Sequence, residues 1–88
     1  MAITRTVTII NRKGLHARPA ASFVKLASQF DCKIRIHGGD KKVDGKSIMG
    51  MMMLAAAKDT QITIQTNGSD ENDAIESLCN LVAQGFNE

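Results

Sequence analysis

Gly14-Leu15-His16-Ala17-Arg18-Pro19-Ala20-Ala21 sets an imidazole two residues before a guanidinium, just ahead of an apolar-periodic run opened by a proline. Helices usually begin at Ser, Thr, Asp or Asn, whose side-chain oxygen accepts from free backbone N–H groups. An imidazole in that place invites a chemical reading. Ala17 and Arg18 begin the helix, so their N–H groups have no intrahelical acceptor. The positive end of the helix dipole lies there too, and together they make an anion site. Arg18 adds a planar fork of donors suited to phosphate oxygens. A phosphoryl group taken up on a ring nitrogen would meet donors already in place and could be passed on, because nothing encloses it. On these residues alone, a surface histidine that merely lies near a helix start is an equal alternative.

Ser47 is the second site. It reads as a helix N-cap, its oxygen accepting from the N–H of Met49 or Gly50. Behind it stand Met49, Met51, Met52 and Met53, which cannot all face one core from one short helix. The spacing points Met51 and Leu54 inward, with Met53 beside them as core filler. Ile48, Met49 and Met52 are left on the surface. Such a patch suits a face that docks several partners, since methionine repacks easily. His37 sits at the outward end of a strand and is assigned no role. No carboxylate or thiol has ligand spacing with either histidine, so neither a metal nor any cofactor is expected. Arg12, Lys13, Lys41, Lys42 and Lys46 form a basic rim that would steer acidic partners, an effect salt would weaken.

These residues need elements to hold them. "ITRTVTII" alternates Ile3, Val7 and Ile9 against Thr4, Thr6 and Thr8, a half-buried strand. A helix follows from about Arg18 to Gln29, with Ala20, Phe23, Val24 and Ala27 at helical spacing and Pro19 tolerated in the first turn. "CKIRIH" is a strand with Cys32, Ile34 and Ile36 inward. "KKVDGK" is a short strand, and Ser47 through Ala57 a methionine-rich helix. "TQITIQT" is a fourth strand with Ile62 and Ile64 inward. Glu71 to Gln84 is amphipathic, with Ala74, Ile75, Leu78, Leu81 and Val82 on one stripe and Gly85 as its cap. The order is β-α-β-β-α-β-α, an α+β two-layer sandwich with helices on one face of the sheet.

Eighty-eight residues suffice for one domain, spanning 1–88. With three Phe and neither Trp nor Tyr, the core must be aliphatic and methionine-based. A net charge of +2 without aromatic stacking platforms argues against nucleic-acid binding. A small RNA-binding α+β domain is further discounted because no "GxxG" clamp is present. No apolar run reaches the ~20 residues that span a bilayer. The start "MAITRTVTII" lacks the order of a secretion signal, so a cytoplasmic location away from the membrane is expected. Cys32 and Cys79 lie on apolar sides of distant segments, which predicts buried thiols rather than a disulfide.

"GLHARPAASFVKLASQF", "KSIMGMMMLAAAKDTQITI" and "NGSDENDAIESL" together resemble the HPr family, histidine phosphocarriers of the bacterial phosphoenolpyruvate-dependent phosphotransferase system. The resemblance runs through nearly the whole chain, and its Gly-Leu-His-Ala-Arg-Pro core is highly specific. It implies an open-faced β-sandwich, four antiparallel strands covered by three helices. It implies that His16 takes a phosphoryl group from Enzyme I on Nδ1 and hands it to a IIA-type acceptor. Ala17 and Arg18 would bind the phosphate, with Arg18 stabilising the phosphohistidine. Ser47 would be a regulatory phosphoserine written by HPr kinase/phosphorylase. Partners would dock on Leu15, Ala17, Ala20, Ile48, Met49 and Met52.

A chain of this kind is a carrier, not a stand-alone catalyst, and is expected to be a monomer. The alternative is a regulatory module of the same fold that docks through Ile48, Met49 and Met52 without carrying phosphate. The His16 and Arg18 pair argues against it. Within the carrier reading the cues divide: "HARPA" and "LVAQGFNE" resemble the nitrogen branch, "KSIMG" and "GSDENDAIESL" the sugar branch.

Overall fold

Period-two alternation builds the sheet. The computed structural model describes residues 2–88. Strands β1 (Ile3–Thr8), β2 (Lys33–Gly38), β3 (Lys41–Asp44) and β4 (Gln61–Asn67) form one antiparallel sheet in the order β1-β4-β2-β3. The register sets Ile64 opposite Ile36 on one side, and Ile62 opposite Val7 on the other. Directly opposed residues share a face, so the isoleucines gather on one side of the sheet. Ile34, Ile36, Ile62 and Ile64 are at most 2% exposed. Thr66 shares their side and is fully buried, with its hydroxyl donating to the Glu71 carbonyl at 3.0 Å. That bond removes the cost of burying the hydroxyl. The other face carries polar residues; there the Thr6 and Thr63 hydroxyls meet at 3.2 Å.

Helices α1 (Ala17–Ala27), α2 (Ile48–Met53) and α3 (Glu71–Ala83) cover the isoleucine face, giving the expected open-faced sandwich. From α1 come Pro19, Ala20, Phe23 and Ala27, and from α3 Ala74, Ile75, Leu78 and Val82. Each set follows the three-to-four spacing of one helix face. Val24 and Leu81, read from sequence as part of these stripes, are half-buried at the margins. Both cysteines are free; Cys32 is buried and Cys79 half-buried. Burial pushes both thiols up from their ordinary range, which makes them poor nucleophiles.

Two expectations fail in α2. The helix stops at Met53 rather than continuing to Ala57. Leu54 folds into the core and Ala55 takes a left-handed φ of 49°, which no α-helix accommodates. The Lys41 ammonium then caps the Met53 carbonyl at 2.9 Å. Met53 is 59% exposed, not core filler. Met51 and Leu54 lie three apart on the inward line, and Met53, two residues from Met51, falls on the far side of so short a helix.

Asp70 ties the layers together. Its two carboxylate oxygens accept the N–H groups of Asp31 at 2.8 Å and Cys32 at 2.9 Å, linking the turn after α1 to the start of α3. The Asp31 N–H, and after it the Cys32 N–H, outweigh partial burial and hold the Asp70 carboxyl below its usual 3.8. A carboxyl depressed by folding adds stability above its unfolded pKa and loses it as pH falls through the folded value. Asp70→Ala should therefore melt a few degrees lower at neutral pH. The gap should close near pH ~2. Thermal melts of both proteins check this, and an equal gap at both pH values would refute it.

Candidate functional site

His16 is aimed by a close backbone crossing. After β1, the Ile9 N–H donates to the Thr60 carbonyl at 2.9 Å and the Asp59 N–H to the Ile9 carbonyl at 2.6 Å. The chain then folds back so that Leu15 donates to the Ala56 carbonyl at 2.8 Å. Gly14 lies under this contact with φ of 66°, and a Cβ there would overlap the Ala56 carbonyl and stand 2.9 Å from the Ala57 Cα. Only glycine meets both conditions. Leu15 points inward at 4% exposed, so His16 must point outward.

His16 is the N-cap residue of α1 in extended conformation, and its carbonyl accepts the Ala20 N–H at 3.0 Å. Its side chain makes no cap bond. Pro19, third in the helix, has no N–H to offer, and the Ala17 and Arg18 N–H groups, at the first two helical positions, have no intrahelical acceptors. Ala17 and Arg18 are both exposed. These residues open onto a cleft of about 700 Å³ also lined by Arg12, Lys13, Asn11 and Glu88. Three cations thus stand around one imidazole, with one carboxylate among them.

That carboxylate and Asn11 were not foreseen. Glu88 Oε1 and Oε2 both lie 3.3 Å from His16 Nε2. Asn11 Nδ2 donates to Glu88 Oε1 at 3.0 Å and to the Gly14 carbonyl at 2.7 Å. The tail reaches the site because Gly85, with φ of 63°, turns the chain after α3 and Phe86 buries its ring in the core. Glu88 is 72 residues from His16 in sequence, and no local pattern announces such a pair. The one available cue was Gly85, read as a helix end rather than as the start of a return. Partial burial raises the Glu88 carboxyl, but bonds from Asn11 and His16 and the charges of His16 and Arg18 outweigh it and hold it low.

Ser47 caps α2 as expected, its Oγ accepting the Gly50 N–H at 3.0 Å. Ile48, Met49 and Met52 are exposed, Met49 at 75%, and Met53 joins them. Two members of the expected docking set are corrected. Leu15 and Ala20 are buried, Leu15 because its N–H bond to Ala56 turns it under the loop and Ala20 because it lies on the inward line of α1. Ala17 stays at the surface. The basic rim also divides. Arg12 and Lys13 line the histidine cleft, whereas Lys41 and Lys46 bond the carbonyls of Met53 and Phe30 at 2.9 and 2.6 Å. His37 is half-buried on the sheet, opposite Lys42 and Thr63. Among the described residues, no three His, Cys, Asp or Glu side chains gather where a metal ion could be held. No helix among them is long and apolar enough to cross a membrane.

The chain is similar to known proteins in sequence and in fold. A family model described as the PTS HPr component phosphorylation site matches residues 3–84. The phosphocarrier protein HPr of Pseudomonas putida is 49% identical over 85 residues, covering 96% of this chain and 94% of that protein. The crystal structure of HPr-C-His from Thermoanaerobacter tengcongensis is similar with a TM-score of 0.93 at 42% identity, covering 98% and 97% of the two chains. Crh, the Bacillus subtilis catabolite repression containing protein, described as a domain-swapped dimer, is similar with a TM-score of 0.77 at 38% identity, covering 94% and 95%.

The crossing at Gly14 is open to direct test. Gly14→Ala should cost about 2–4 kcal/mol, from left-handed strain plus displacement of the Ala56 carbonyl. Urea unfolding measures it; a variant within about 0.5 kcal/mol of the parent would show that the contact is not constraining.

Proposed function

The chain belongs to the HPr family, phosphocarriers of the phosphotransferase system rather than stand-alone catalysts, and from that premise we propose that His16 is its phosphoryl-carrying residue. Phospho-Enzyme I is the donor and a IIA-type protein the acceptor. The observation that carries this reading is the position of His16 at an open helix start. Ala17 and Arg18 line the same cleft as the imidazole, and Nδ1 has no bond to any described residue. The Nδ1 lone pair attacks phosphorus while the bond to the donor breaks, its electron pair staying with the donor. The new phosphate gains backbone donors, the helix dipole and Arg18. Passing it on reverses these movements.

Ala17, Ile48, Met49 and Met52, joined by Met53, are the proposed docking surface for both partners. Apolar side chains that repack let one small face fit several proteins. Ser47 is the proposed regulatory site, for HPr kinase/phosphorylase where the host has it. A phosphoserine there carries about −1.5 to −2 charge to the edge of an apolar surface, with desolvation and repulsion costs for an acidic partner. The carrier acts as a cytoplasmic monomer made of one domain. Gel filtration at working concentration tests the monomer, for which the swapped Crh dimer is the contrary precedent.

Intact mass after incubation with phosphoenolpyruvate and Enzyme I tests the central proposal. One acid-labile phosphoryl group should appear, and His16→Ala should take none. Arg18→Ala should slow transfer roughly 10-fold or more. No gain with an active Enzyme I of either the sugar or the nitrogen branch would favour a docking module that carries no phosphate. Ser47→Asp should raise the KM for Enzyme I roughly 10-fold, and unchanged affinity for every partner would sink the proposed regulation.

A further inference from the structure

Sulfur is unevenly placed in this chain. Four of its five methionines lie within the six residues of α2, and the fifth, Met1, falls outside the described residues. Met49, Met52 and Met53 are exposed, Met49 most of all, whereas Met51 is fully buried. Residues three and four apart stand side by side on a helix, so Met52 and Met53 both neighbour Met49 and the three thioethers share one side. The two thiols are less available. Cys32 is buried and Cys79 half-buried, and burial pushes both up, so little thiolate forms near neutral pH. Among the described residues, the sulfur atoms that a dissolved oxidant meets first are therefore the three thioethers of α2.

We infer that Met49, Met52 and Met53 form a reversible oxidation site, at which a hydroperoxide turns the docking face from apolar to polar and weakens its hold on Enzyme I. The inference rests on the docking reading of α2. A sulfur lone pair attacks one oxygen of hydrogen peroxide, the O–O bond breaks, and its electron pair leaves with the other oxygen. The proton of the transferred hydroxyl follows that oxygen. Sulfur is thereby oxidised by two electrons to a sulfoxide, and the peroxide is reduced to water. The sulfoxide is polar and chiral, and its oxygen accepts hydrogen bonds. Water satisfies that oxygen in the free protein, but a docked apolar surface expels the water and leaves it unpaired. Methionine sulfoxide reductases reverse the step, one for each sulfoxide epimer. The oxygen leaves as water while two thiols become a disulfide. Two placements confine the effect to docking. Met51 is shielded, so the core takes up no oxygen. None of the three exposed methionines lines the cleft of His16, so phosphoryl transfer itself is untouched.

The test treats the full chain with hydrogen peroxide and places the added oxygens by peptide mapping. Met49, Met52 and Met53 should each gain one oxygen before Met51 gains any. Calorimetric titration with Enzyme I should then show affinity reduced roughly 10-fold or more. Tm, and kcat with saturating phospho-Enzyme I, should stay near those of the untreated protein. Sulfoxide reductases should restore the affinity. A triple variant, Met49→Leu, Met52→Leu and Met53→Leu, keeps these positions apolar at similar volume. It should bind Enzyme I as the parent does and should not respond to peroxide, and it retains Met1 as a control. Oxidation of Met51 in step with Met49, unchanged affinity of the oxidised parent, or an equal loss in the leucine variant would each overturn the inference. Failure of the docking reading is separable. Ile48→Asp would then leave the affinity of the unoxidised protein unchanged, whereas a loss in Ile48→Asp with none on oxidation sinks the inference alone.

Discussion

Two stretches of backbone pass within van der Waals reach at Gly14 and Ala56–Ala57, and the site depends on that crossing. Glycine permits it, because a side chain would occupy the space of the Ala56 carbonyl and would resist the left-handed turn. The Leu15 N–H then bonds Ala56, Leu15 drops into the core, and the next residue is left at the rim as the N-cap of a helix. An imidazole in place of a serine gives up a capping bond there. Pro19 lessens what is lost, since it supplies no N–H for such a cap to accept. The remaining donors of Ala17 and Arg18 are directed at whatever anion comes to the cleft.

The thinness of the aliphatic core shapes the other surface. Helices α1 and α3 are long enough to present a full inward stripe, but α2 has six residues. So short a helix sends Met51 to the core and Leu54 after it, and has no second inward turn to use. Ile48, Met49, Met52 and Met53 are thereby left outside. Exposed apolar area of this kind is costly in water, and it is consistent with a face that is covered intermittently by partners. The tail adds a third constraint. A left-handed Gly85 and a buried Phe86 bring a carboxylate across to a cleft that also holds Arg12, Lys13 and Arg18.

Much of this was legible in the order of residues. Alternation of isoleucine with threonine, lysine or arginine can be buried on one side in only one register, so the strands and their faces followed from period alone. The stripes of α1 and α3 followed in the same way, and so did the cap at Ser47, because a serine and the N–H three residues on are neighbours by geometry. His16, Arg18 and Pro19 are adjacent, and their anion-binding character is a property of any helix that starts there. Thr66 was harder: its hydroxyl hides a core position that the isoleucine parity marks.

The sequence by itself determined the elements, the inward faces and the histidine at a helix start, since those rest on spacing within a few residues. Only the tertiary structure decided that α2 ends at Met53, that Leu15 is buried, and that Asn11 and Glu88 meet His16. Those outcomes depend on where one segment lies against another. Glu88 and Asn11 stand 77 residues apart, and their encounter is fixed by a turn at Gly85 and an anchor at Phe86 rather than by any repeat in the chain. Periodicity carries information along an element, and contact between distant elements is set by packing.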